Sequence, residues 1–425
     1  MWEQIAANRR KSIVLVTSMA LTLMLLGALI GSAISPNGGA ITGIAITGII
    51  WFFMTIIAYS NGGKILMAAS KAKKIQKQDH PQLFNIVEEM TIAAGMPKMP
   101  DIYIIDDMSI NAFAAGRDPD NAVIAVTSGL LAKLNRDQIQ GVVAHEMSHI
   151  KNRDVLFMTM LGVMLGVIVI ISEIFLRSLW YSSAGRRRSR SSSKGGGQAQ
   201  LVLMVVAILF AILAPIIAHI IYFASSRRRE YLADAGGALL TRYPEGLASA
   251  LEAIKYDSRP MTSVSKAIAP MYISNPLKMN ATGLTATHPP IDERIRILRS
   301  MAGAVSYNEY QKAWEKVSGR NAGTLPASAL SAGATLQARG ASPETKKTDP
   351  RQQFRQATDA IRKANRFAFL ACACGLQFKI PPEFKGTNII CPRCGRDHKV
   401  SLARLMAMEQ VADAIDSQTK NKPLK

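Results

Sequence analysis

Four apolar runs dominate the hydrophobic pattern. Residues 13–34 are 22 positions without a charge, preceded by Arg9, Arg10 and Lys11, and residues 41–60 are a further 20. Each matches the roughly 20 residues an α-helix needs to cross about 30 Å of hydrocarbon, whereas the apolar core of a secretory signal is only about 7–15 residues long. Residues 35–40 alone separate the two runs, so the pattern predicts an uncleaved membrane hairpin. Its outer flanks are basic, with Lys64, Lys71, Lys73, Lys74 and Lys77 following it, which by the positive-inside rule places both ends in the cytoplasm. Residues 155–176 and 201–224 form a second pair long enough to span; Pro215 and His219 interrupt the latter, and His219 reads as a packed polar contact. The loop between them carries Arg177, Arg186, Arg187, Arg188, Arg190 and Lys194 without an acid. Charge bias would hold that loop inside, against two full crossings.

Between and after these runs the pattern is that of an α+β domain split by a membrane hairpin. Short β-like runs at 101–105 and 121–126 precede a helical pattern over 136–152, and residues 225–318 read as helices with loops. Ala, Gly, Ser, Pro and Thr then dominate to about residue 353, the composition of a flexible tether. The divisions expected are a transmembrane hairpin (1–62), a first catalytic part (63–154), the second apolar hairpin (155–224), a second catalytic part (225–318), a linker (319–353) and a cysteine-bearing module (354–425).

Composition adds the class of partner. Apolar residues make up 48% and charged residues 19%, too apolar for a mainly disordered chain, and the formal net charge is +21. Such a charge suits headgroups, nucleic acid or the water beside a membrane. The Ser/Gly-rich basic stretch at 185–197 lacks interleaved aromatics, which argues for a solvated loop and against nucleic acid.

The candidate chemistry lies on the predicted helix. His145-Glu146-Met147-Ser148-His149 is HExxH, and at about 100° per residue its histidines fall about 40° apart on one face, able to share a metal. Glu146 beside them can take a proton from water that a zinc ion has made acidic. A catalytic site of this kind needs a third protein ligand, and Glu230 in Ser226–Asp234 is the candidate; Asp234 shares its helix face, so that one acid could ligate while the other holds a ligand histidine's second nitrogen. Taken alone, that pair of acids beside arginines also fits a surface salt-bridge network. All four cysteines lie at Cys372, Cys374, Cys391 and Cys394, close to a two-knuckle zinc template with a shortened first knuckle, so a structural zinc ribbon is expected. His398 could replace one of the first two cysteines.

The motifs HEMSHIKNRD (145–154) and SRRREYLAD (226–234), with NAFAAG (111–116), VTSGLL (126–131) and THPPIDERI (287–295), resemble the HtpX-type membrane metallopeptidases, relatives of the CAAX prenyl endopeptidases. The resemblance covers about residues 1–300. It implies a multi-pass α-helical membrane protein with a cytoplasmic α+β zincin-like catalytic domain, to which this chain adds a small C-terminal β zinc ribbon. His145, His149 and Glu230 are then zinc ligands, Glu146 is the base, and Asp234 stands behind a ligand. The resemblance further implies that Asn111, Ala112, Phe113 and Ala114 lie on an edge strand pairing with extended substrate and that His288 helps stabilise the oxyanion. Without it, Asn111 is a turn residue and His288 a loop histidine.

The leading function is a zinc endopeptidase of the inner (cytoplasmic) membrane, with one catalytic and one structural Zn2+, cleaving membrane or misfolded proteins in quality control and stress response. The competing readings are a membrane-anchored adaptor recruiting a partner through its ribbon and a dedicated maturation protease of the CAAX type. Expected partners are protein or peptide substrates and the lipid bilayer, with the ribbon's partner open.

Overall fold

The computed structural model describes residues 2–35, 37–185, 205, 208, 209, 212, 213, 227–257, 259–261, 269–274, 276, 288–301, 303–320, 323–331, 335–343 and 349–400. Most of 201–224 with Pro215 and His219, the basic loop beyond residue 185, and residues 401–425 of the terminal module therefore lie outside the described residues.

The first two apolar runs are helices, α1 (Trp2–Ile34) and α2 (Gly39–Ala69), and both contain stretches long and apolar enough to cross a membrane by length and composition. They are held together by backbone approach. A Cβ on Gly31 would sit 2.0 Å from the Gly39 carbonyl oxygen, and one on Gly43 would sit 2.0 Å from that of Gly27. Glycines spaced by four on both helices permit that contact, as in small-residue membrane helix pairs. Away from it, Ile41, Ile49, Phe52, Phe53 and Ile56 are exposed, an apolar surface of the kind that lipid covers.

The α+β half is built on a four-stranded sheet. Its strands are β1 (Lys73–Lys74), β2 (Asp101–Ile105), β3 (Ala112–Gly116) and β4 (Ala122–Thr127), in the order β1-β2-β4-β3. β2 and β4 are parallel and the other two pairs antiparallel. Ala-Val-Ile-Ala-Val-Thr in β4 is buried throughout, because the sheet is covered on both faces. Ile102, Ile104, Ala112, Ala114, Ile124 and Val126 face the domain core, while Phe113, Ala115, Val123 and Ala125 pack with α1, α2 and the helix α6 (Asp154–Gly185). The period of two in these strands thus divides one sheet between a core of soluble type and a helical layer.

Two helices carry the site into the first of these cores. α3 (Pro81–Ala94) packs on α5 (Arg136–Lys151); α4 (Ser128–Lys133) leads to α5, which starts at a capping box in which Asn135 and Gln138 exchange side-chain and backbone hydrogen bonds, both 2.9 Å. The helix Arg227–Thr241 packs along α5, and the helices Pro244–Tyr256, Ile291–Arg299 and Tyr307–Ser318 complete the layer.

The tether expected at 319–353 is anchored at several of its described points. Leu336–Gln337 pairs with Ala304–Val305, the Thr324 and Leu325 N–H groups both donate to Gln311, and Arg339 reaches Asp137 at 3.0 Å and Gln140 at 2.6 Å. A helix, Pro350–Ala364, then lays Ala357, Ala360 and Ile361 into the catalytic core, while Gln353 donates to the Leu134 carbonyl and Lys363 to that of Gln78. Composition predicts flexibility here, but a few long polar side chains and one amphipathic helix fix the path.

Candidate metal centre and active site

α5 points His145 and Glu146 into the core, at 0% and 3% exposure, and leaves His149 one turn on at its edge. The helix Arg227–Thr241 brings Glu230 against both histidines: His145 Nε2 lies 3.7 Å from Glu230 Oε2 and His149 Nε2 lies 3.6 Å from Glu230 Oε1. One donor atom from each of the three residues falls within 4.8 Å of the others. Residues 149 and 230 thus meet at one place although the second apolar pair runs between them in the chain.

The far nitrogens of both rings are turned to carboxylates. His145 Nδ1 lies 3.0 Å from Asp234 Oδ1, within ion-pair distance but without hydrogen-bond alignment, and His149 Nδ1 contacts Asp154 Oδ2 at 3.2 Å. Both Nε2 atoms are thereby presented to Glu230, the orientation metal-binding histidines take when a carboxylate stands behind them. Asp234 is itself gripped by Arg294, which is 1% exposed and donates from Nε at 2.8 Å and from Nη2 at 2.7 Å; Nη1 lies 3.6 Å from Glu230 Oε2. The Tyr310 hydroxyl also donates to Asp234, at 3.4 Å.

The electrostatics suit a cation. Burial alone would raise the Glu230 carboxyl, but His288, His145 and His149 together hold it well below the ordinary glutamate value. His145, which burial would push down, is lifted to about 9 by Asp234 and Glu230. A proton on that ring stands where a metal's charge would, and metal binding would displace it. His145 Nε2 and Glu230 Oε2 are buried without a hydrogen-bond partner, a cost that coordination would remove. Two imidazoles and one carboxylate form a donor set that fits zinc with an open position. Glu146 projects beside this set; burial raises its carboxyl above the usual range, tempered by His145, by His149 and by the Ala114 N–H that donates to it.

His288 is brought to the same place, its Nδ1 2.9 Å from Glu230 Oε2. The expected edge strand is more occupied than the sequence suggests. β3 is the last strand of the sheet, yet its outward side is engaged: the Ala112 carbonyl accepts from Ile273 N–H at 2.9 Å, and Gly116 N–H donates to Thr159 at 2.9 Å. Asn111 precedes the strand and ties down the same segment, donating to the Ser274 carbonyl at 3.0 Å. Phe113 points away from the metal-binding side chains, its ring centroid 4.8 Å from that of Tyr272. Ala114 alone of the four expected residues lines the cavity holding Glu146, His149 and Glu230.

Sequence reasoning passed over Asp154 and Arg294. Arg153 takes a left-handed backbone, φ 57°, between α5 and α6, and that turn swings Asp154 back under His149. The signal available was an acid just beyond HExxH.

The second candidate metal group is the cysteine module. Two hairpins, Ala368–Ala371 with Gln377–Ile380 and Asn388–Ile390 with Asp397–Lys399, bring Cys372, Cys374, Cys391 and Cys394 to within 4.8 Å of one another through one sulfur each. Gly375 and Gly395 take left-handed turns, φ 86° and 71°, behind the knuckles. His398 packs on Phe378 and is not in the group, so the shortened knuckle needs no substitute.

Comparison with known proteins accords with this geometry. The model of peptidase family M48 matches residues 77–302. A protease HtpX homolog of Dictyoglomus thermophilum is 44% identical over 300 residues, 71% of this chain and 94% of the relative. One from Listeria monocytogenes serovar 1/2a is 44% identical over 306 residues, 71% of this chain and all of the relative. Among solved structures, S. mikatae Ste24p is 20% identical with a TM-score of 0.37 over 70% of this chain and 67% of that one, too slight a likeness to fix a fold. The cysteine module lies beyond the family match. With that match covering just over half the chain and the relatives aligned along almost their whole length, the chain belongs to peptidase family M48 and is a metalloprotease.

Proposed function

We propose that His145, His149 and Glu230 hold the zinc ion of a membrane-integrated endopeptidase that cleaves membrane or misfolded proteins at the cytoplasmic face. The observation carrying this reading is the paired orientation of the histidines: each has one nitrogen turned to a carboxylate, Asp234 or Asp154, and the other turned to Glu230. Zinc bound there supplies a Lewis acid that polarises the scissile carbonyl and acidifies water. Glu146 takes the proton and delivers it to the leaving amine, a task for which a carboxyl raised by burial is suited. His288, beside Glu230, is positioned to donate to the developing oxyanion. Ala112 and Ala114 offer backbone groups to an extended substrate once the segment around Ile273 gives way. The domain divisions given above belong to the same reading, except that 319–353 and the helix Pro350–Ala364 are joined to the catalytic part, which leaves the two cysteine hairpins as the ribbon that binds a structural zinc.

Metal counting tests it. The purified protein should carry two zinc ions per chain; Glu230→Ala should bring the number to one, and Cys391→Ser with Cys394→Ser should also bring it to one. Two ions in Glu230→Ala would move the third-ligand role to another residue, and one ion in the unaltered protein would remove the ribbon. The orientation is tested separately by Lys77→Cys, at a side chain 62% exposed just after the first hairpin. A maleimide too polar to cross the membrane should add label over the unaltered protein only when supplied from the cytoplasmic side. Labelling from the opposite side would invert the proposed topology.

A further inference from the structure

Among the described residues of the catalytic layer two arginines are buried, and they differ in one respect. Arg294, 1% exposed, spends its donors on Asp234. Arg229, 8% exposed and adjacent to Glu230, has no hydrogen bond or ion pair with any described residue; its contact is the Phe157 ring, with Cζ 4.5 Å from the ring centroid. It lines a cavity together with Glu146, His149, Glu230, Met158 and Met271.

Burying a guanidinium forfeits much of its hydration, and an aromatic face returns only part of that. The donors of Arg229 have no described partner, and the residue borders the space beside Glu146 and Glu230. The remaining walls of that space are apolar, Ala114, Val155, Met158 and Met271, or belong to the candidate metal site, Glu146, His149 and Glu230. The planar fork of an arginine matches a carboxylate in two parallel hydrogen bonds, and in a water-poor cavity that pairing is strong. A neutral side chain entering there would leave the guanidinium's hydrogen-bond donors without acceptors, a cost that would discriminate against the wrong ligand.

We propose that Arg229 is a specificity-determining residue that receives a carboxylate of the substrate close to the scissile bond. This rests on the zinc-peptidase reading of the cavity. The carboxylate has two possible sources, an acidic side chain or a free chain terminus, and both present the same chemistry to the guanidinium.

The test measures binding without cleavage, so that it reads separately from catalysis. Full-length Glu146→Gln protein, loaded with zinc in detergent, is titrated with fluorescent peptides in which a single Glu is moved along an otherwise neutral sequence, each beside its Gln counterpart, and each as the C-terminal acid and amide. At one position Glu should bind at least about tenfold more tightly than Gln, or the acid than the amide. Adding Arg229→Met should bring that ratio to within about twofold, while Arg229→Lys, which keeps the charge and loses the fork, should retain part of it. An interior Glu effect identifies a side chain as the source, and an acid-over-amide effect identifies the terminus. Equal binding of all pairs, no binding of any peptide, or a ratio unchanged by Arg229→Met would each overturn the assignment. Zinc content measured alongside shows whether the metal site itself survives each change.

Discussion

Glu146→Gln will keep its zinc and lose at least about two decades of cleavage rate on an unfolded protein substrate. The substitution removes proton transfer and little else. Glu146 is not in the group of side chains that gather around a common point, so no ligand is lost, and the amide is close in size and shape to the carboxyl. Its environment explains why the loss should be large. The side chain is 3% exposed, and burial raises its carboxyl toward the neutral range in which a general base works best. Bulk water has little access to replace it. Cleavage by Glu146→Gln at the rate of the unaltered protein would remove the base from this mechanism.

Arg294→Met should destabilise the catalytic domain by roughly 3–5 kcal/mol, the range for deleting one member of a buried ion pair. Arg294 and Asp234 are both buried, at 1% and 0% exposure, and are joined by hydrogen bonds of 2.8 and 2.7 Å. Without the guanidinium the Asp234 carboxylate loses its main partner while still lying against His145. Replacing both, Arg294→Met with Asp234→Leu, should recover much of the stability, since a buried pair exchanged for apolar groups is often neutral. It should not recover zinc affinity, because no carboxylate then orients His145; the expected loss is about 10–100-fold. Thermal unfolding in detergent and competition with a zinc chelator separate the two effects. A double variant that binds zinc as tightly as the unaltered protein would show that Asp234 does not orient the ligand.

The parts legible in the sequence were those governed by short-range periodicity. The runs at 13–34 and 41–60 showed the first hairpin because an uncharged stretch of about twenty residues matches the thickness of a bilayer when helical. His145, Glu146 and His149 showed one face of a helix, and the strands at 101–105 and near 121–126 showed by their β-like runs. Glu230 was weaker by itself, because more than eighty positions and an apolar pair separate it from His145; the resemblance carried it. Asp154 and Arg294 went unassigned for a physical reason. Charged residues ordinarily lie in water, and only the folded chain shows that these two are enclosed around the histidines. Similarly, composition made 319–353 a tether because it weighs residues by type, whereas its path is held by Arg339 on Asp137 and Gln140 and by the buried face of Pro350–Ala364. The sequence of β3 does not show that its outer side is covered, because the covering segment, around Ile273, comes about 160 residues later.

The central claim is that His145, His149 and Glu230 hold one zinc ion beside Glu146. Diffraction from zinc-loaded crystals, recorded on either side of the zinc absorption edge, tests it most directly. The account predicts an anomalous peak in the space bounded by His145 Nε2, His149 Nε2 and the Glu230 carboxylate, separate from any peak among the four cysteines. Zinc found only among the cysteines, or held elsewhere in the catalytic domain, would contradict it.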